Sequence, residues 1–183
     1  MMHSTIIFLS VLVLLVSSKT LYAQNVTCDR KLSELEADVA SIGAMLDAAW
    51  NSVARVSDGL SRDAEATISS AECPAKIDAS LLKHRDDLSI VDADDLFIRA
   101  EANLICAQFF GARVTEDLRL AQIGGDSRMV IRLGLVADRI VGIDRDATRD
   151  AIKGTALMTK IERLNREMED INGRCNAFSD IYD

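Results

Sequence analysis

The residues able to do chemistry in this chain are few, and their spacing can be weighed directly. Beyond residue 23 there is one histidine, His84. A Ser–His–Asp relay needs a histidine beside a nucleophile, and an HExxH zinc site or a histidine-containing di-iron bundle needs more than one. His84 lies in the polar run Lys83-His84-Arg85-Asp86-Asp87, which reads as solvated surface. Carboxylates gather at Asp92, Asp94 and Asp95, and again at Asp144, Asp146 and Asp150. A calcium loop opening at Asp92 would need Gly at its sixth position and Glu at its twelfth, where the chain has Phe97 and Asn103. The first cluster reads as helix-start carboxylates and the second as a solvated helix face. A carboxylate pair could in principle drive hydrolysis, but heptad-patterned helices offer no evident cleft for it. The residues therefore predict no catalytic site, no metal and no cofactor.

Four cysteines remain: Cys28, Cys73, Cys106 and Cys175. No pair has CxxC spacing, which argues against a thioredoxin-like redox site, a zinc ribbon and c-type haem attachment. An even number in an exported chain reads as structural disulfides. Export is indicated by residues 1–23, where Ile6–Val16 is an apolar run of 11 residues and Leu-Tyr-Ala ends at Ala23. That run falls short of the ~20 apolar residues of a spanning helix, so no stable membrane anchor is expected after signal removal. A cut after Ala23 leaves a single domain of residues 24–183, secreted or periplasmic, with a glycosylation sequon at Asn25-Val26-Thr27 that matters only in a eukaryotic source.

The full chain has 21 basic and 29 acidic residues, and losing Lys19 with the signal leaves a net charge of −9. Such a surface repels phosphate backbones and anionic membranes, so nucleic acid is not an expected partner.

The elements that must position these residues are helices. Cys28, Leu32, Leu35, Val39, Ile42, Leu46, Ala49, Val53, Val56 and Leu60 step by four and three without a miss, an a/d seam. Gly59 is placed to cap this helix and Ser61 to start the next. Pro74 predicts a kink or restart directly after Cys73. Asp92 opens a third helix with a stripe through Leu96, Ala100, Ala107, Val114 and Leu118, and Gly124-Gly125 turns the chain before the Asp126 cap. The final stretch carries Leu133, Val136, Ile140, Ile143 and Ala147, then Leu157, Leu164, Met168, Ile171 and Cys175, with a shallow break drawn at Gly142–Asp146. Trp50, Phe109 and Phe110 read as core or interface anchors.

The expected fold is an all-α, elongated antiparallel bundle of about four heptad-patterned helices, stabilised by disulfides. If helix one turns near Gly59, helix two descends from Ser61 and helix three climbs from Asp92, Cys73 and Cys106 lie at levels roughly 6 Å apart. They would pair, leaving Cys28 and Cys175 to tie the first helix to the last. If helix one instead runs on to Glu72 in a three-helix arrangement, Cys73 meets Cys175. A monomer is the preferred state, with a homodimer through the first seam as the alternative. The expected function is that of an exported, non-catalytic helical interaction or structural protein with a protein partner; the alternative is a carrier of a small hydrophobic ligand held between helices.

Overall fold

A computed structural model describes residues 26–67 and 73–182, with side chains of 66, 67, 73–76, 78 and 176–182 excepted. The signal segment, Asn25 and the Cys73 side chain lie outside the described residues. Four helices account for nearly all of the rest: α1 Leu32–Thr67, α2 Cys73–Ser89, α3 Ala93–Ile123 and α4 Ser127–Tyr182. No strand occurs among the described residues, and none of the helices is long and apolar enough to cross a membrane. The architecture is an all-α helical bundle.

Local chemistry explains most helix ends. Glu34 accepts a hydrogen bond from the Lys31 backbone N–H at 3.0 Å, the reaching-back half of a capping box. Pro74 sits in the first turn of α2, where its missing N–H costs nothing. Asp92 and Asp126 cap α3 and α4 as expected, each accepting from the backbone N–H three residues on at 3.0 Å. Between α3 and α4, Gly125 takes φ 71°, and the Asp126 N–H closes onto the Ala121 carbonyl at 3.1 Å. Only glycine enters that left-handed conformation without a Cβ penalty.

Gly59 behaves differently from expectation. It lies within α1, which continues to Thr67, and Ser61 bonds back to the Ser57 carbonyl instead of starting a helix. A Cβ at Gly59 would stand 2.6 Å from the His84 ring, so this glycine permits a close approach and is not a cap. The break drawn at Gly142–Asp146 is likewise absent: α4 is one helix of 56 residues.

The helices pack as two compact units interleaved along the chain, one from residues up to Val39 with Glu101–Ala147, the other from Ala40–Ala100 with Thr148 onward. In the second unit α2 runs antiparallel to α1, since Ser80 and His84 face Asp63 and His84 faces Gly59. The opening turns of α3 also run antiparallel to α1: Ile90, Val91 and Leu96 line a cleft with Met45, Ala48 and Ser52, and Arg99 reaches Met45. The break at Ile90–Asp92 therefore bends the chain without reversing it. Lys153 pairs with Asp47 and Lys160 donates to Ser57 at 3.0 Å, so α4 runs parallel to α1. Of the three breaks expected to reverse direction, only Gly124-Gly125 does so.

In the first unit, Cys28 and Cys106 form a disulfide with Cα atoms 5.3 Å apart. Both expected pairings, Cys73 with Cys106 and Cys28 with Cys175, are thereby corrected. The cause is the bend: α3 starts beside the middle of α1, so a climb of 13 residues from Ala93 brings Cys106 to the start of α1. Around this bridge Leu35, Val39, Ala107, Ile143 and Ala147 form a buried core, with Leu32 and Phe110 packed against it. Arg30 binds this layer together, donating to Asp38 at 2.9 Å and to the buried Asn103 at 2.7 Å. Cys175, in the second unit, is also disulfide-bonded.

Candidate functional site

The strongest chemical candidate is the contact between α1 and α2. The His84 side chain is buried, not on the solvated surface expected from its polar run. The missing Gly59 side chain gives the imidazole its place in the wall of α1. Asp63 Oδ2 receives His84 Nε2 at 2.9 Å and also accepts from the Ser80 hydroxyl. An ionised carboxylate can only accept, so Nε2 carries the donated proton. Nδ1, the other ring nitrogen, is buried with no hydrogen-bond partner among the described residues.

This geometry does not make a nucleophile. In a relay the histidine stands between hydroxyl and carboxylate. Here the carboxylate stands between Ser80 and His84, so the hydroxyl faces a carboxylate and not the imidazole, whose second nitrogen is enclosed. The cluster ties α1 to α2. The sequence reading missed it because the polar run around His84 hid its place on the stripe of Ile77, Leu81 and Leu88, and because Asp63, one step past Leu60 on the α1 seam, comes from another helix.

Asp150 also departs from its expected solvated face. It is 2% exposed, and its carboxylate fills the space left by Gly43, where a Cβ would stand 3.1 Å from Oδ2. Arg149 Nε lies 3.5 Å from Oδ1. Asp92 serves as a cap, with Asp94 and Asp95 in the first turn of α3. Among the described residues no group of three potential metal ligands converges.

A cleft of about 370 Å³ opens at the α2–α3 bend, lined by Met45, Ala48, Ser52, Ile90, Val91 and Leu96. It lies at the surface, with Ile90 81% exposed at its rim. Ligand pockets of ~300–1,000 Å³ normally bury most of their ligand. An open cleft of this size presents an apolar floor without enclosure.

The third candidate is the far part of the α3–α4 hairpin. The two helices meet at residues equidistant from Gly125, as where Ile140 lies 3.6 Å from the Cβ position of Gly111. Helix α1 begins at Leu32, and its Glu36 pairs with Arg139 of α4, so the hairpin continues towards Gly125 past the start of α1. From Thr115 to Arg139 no residue is buried. Yet the stretch is not polar. Leu120 and Ile123 on α3 and Ile131 and Leu135 on α4 are 52%, 72%, 67% and 69% exposed. Phe109, packed edge-on to Phe110 at 6.0 Å, and Val141 extend these exposed positions towards the disulfide core.

Charge also changes along the molecule. Residues 108–142 hold five arginines against four acidic residues, Glu116, Asp117, Asp126 and Asp138, a net charge of +1 in a chain of −8. Glu116 is held below the usual carboxylate range by its hydrogen bond from Arg119. Glu36 of α1 is lowered in the same way by Arg139 of α4, an ion pair at the base of the hairpin. Comparison of the chain with known protein families, characterised proteins and solved structures finds no match.

Proposed function

We propose that this is an exported, non-catalytic interaction protein that engages its partner through the α3–α4 hairpin tip. One observation carries the reading: 25 consecutive residues, Thr115–Arg139, contain no buried side chain yet display large apolar residues on both helices. Isolated exposed apolar residues are ordinary, whereas Leu120, Ile123, Met129, Ile131 and Leu135, all exposed on one hairpin, support an interaction surface. Export is supported by the apolar N-terminal run and the Cys28–Cys106 disulfide, which persists in oxidising compartments. The non-catalytic reading is supported by the order of groups in the His84 cluster.

Affinity capture from the native fluid, with wild type and the double variant Ile131→Glu/Leu135→Glu side by side, tests this reading. A discrete species retained by wild type and lost by the variant is the expected result. Equal retention by both removes the tip from the interaction.

The cleft at the α2–α3 bend supports the second reading, carriage of a small hydrophobic ligand. Its floor is apolar, and Met45 supplies an adaptable wall. Lipid extracted in stoichiometric amount from the purified protein, and lost on Ala48→Arg, would favour the carrier.

A further inference from the structure

We infer that Asn25 carries an N-linked oligosaccharide, attached as the chain is exported. The inference rests on the export reading and deepens it, because it assigns the chain to a secretory lumen and not to a periplasm.

The first argument is where the sequon falls. The chain has six asparagines, Asn25, Asn51, Asn103, Asn165, Asn172 and Asn176, and only Asn25 has Ser or Thr two residues on. The other five lie within α1, α3 and α4. Val26 occupies the middle position, where proline would block the motif.

The second argument is the conformation that follows Asn25. Residues 26–31 form no helix, and α1 starts only at Leu32. Val26 and Cys28 pack against the buried core around Leu35 and Ala107, while Thr27 and Asp29 are exposed. Side chains that alternate in this way belong to an extended chain. The Thr27 hydroxyl, which the transferase must grip, is on the solvent side and makes no hydrogen bond to another described residue. A bulky, solvated glycan needs such a surface segment, and a helix or a packed seam would refuse it.

The third argument is timing. Cys28 is tied down by Cys106, 78 residues later in the chain. At ~5–20 residues per second of synthesis, Cys106 follows Cys28 by roughly 4–16 s. Until then the native bridge cannot close over the segment, so the sequon meets the transferase before the fold anchors it.

The transfer needs no redox partner. The side-chain amide nitrogen of Asn25 bonds to the anomeric carbon of a lipid-diphosphate-linked oligosaccharide. The bond from that carbon to the phosphate oxygen breaks, the lipid diphosphate leaves with the electron pair, and the amide proton passes to a base of the transferase.

Mass spectrometry of the protein purified from its native source, before and after peptide N-glycosidase, tests the inference. The expected result is a start near Gln24 with excess mass that is lost on treatment, and Asn25 converted to Asp. In the full chain expressed in secreting eukaryotic cells, Asn25→Gln and Thr27→Ala should each abolish the excess, and Thr27→Ser should retain it. A native mature chain at its unmodified mass overturns the inference and leaves export standing. An unmodified native chain that still begins at Met1 overturns both. Excess mass that survives Thr27→Ala belongs to another residue and also overturns the assignment.

Discussion

Leu35–Leu60 of α1 and Thr115–Arg139 of the α3–α4 hairpin are nearly equal in length and both apolar at helical spacing, but their fates differ. In the first, Leu35, Val39, Ile42, Leu46, Ala49, Val53, Val56 and Leu60 are all buried. In the second, nothing is. The difference lies in the number of neighbours. Along α1 neighbouring helices cover the seam, whereas the hairpin from Thr115 to Arg139 extends past the start of α1, which it meets at Glu36–Arg139. Apolar periodicity shows that a helix has a face to bury. How much of that face is covered depends on where the neighbouring helices stop.

The largest effect that could break this comparison is core truncation. Leu46→Ala should cost about 2–5 kcal/mol in urea unfolding, the range for emptying a fully buried aliphatic site. Leu135→Ala in the tip should change monomer stability by less than about 0.5 kcal/mol. Similar losses at the two sites would show that the tip is packed within its own chain.

Next comes the Cys28–Cys106 bridge, which anchors the base of the hairpin across a sequence separation of 78 residues. Replacing both cysteines with serine should cost about 2–5 kcal/mol. Non-reduced peptide mapping should recover Cys28 with Cys106. Cys175 should appear with Cys73, the one cysteine left once Cys28 and Cys106 are joined. A Cys73–Cys106 peptide would refute the bend at Ile90–Asp92.

The glycines sharpen the contrast with opposite signs. Gly59→Ala would press a methyl group into the His84 ring and should lose about 1–3 kcal/mol. Gly134→Ala, with nothing within 4 Å of its Cβ position, should gain roughly 0.5–1 kcal/mol from helix propensity alone. Thermal melts of the two variants should move in opposite directions.

Smaller still is the cap at the tip. Asp126→Ala should cost about 1 kcal/mol by leaving backbone N–H groups of α4 without their acceptor.

The smallest effect is at the Glu36–Arg139 pair. The folded-state pKa of Glu36 lies below its ordinary 4.5 because Arg139 donates to the carboxylate. Its contribution is therefore present above about pH 4.5 and lost as pH falls through the lowered value. An NMR titration should place Glu36 below 4.5, and Arg139→Ala should return it towards that value.

Much of this molecule was determined locally and could be read from the chain. The α1 seam follows from apolar residues recurring every three and four positions. The Asp92 and Asp126 caps follow from short carboxylates able to reach N–H groups three residues on, and the Gly124-Gly125 turn from glycine's tolerance of positive φ. Tertiary structure decided the rest. Gly59 could equally have ended a helix or admitted a neighbour, and only His84 on another helix distinguishes the two. His84 and Asp150 look solvated in a polar sequence, and are buried because Gly59 and Gly43 make room for them. The break at Ile90–Asp92 reads the same whether the chain reverses or bends, and that choice set the disulfide and the length of hairpin left uncovered. Periodicity and capping act within one turn of helix, while helix direction and coverage depend on partners tens of residues away.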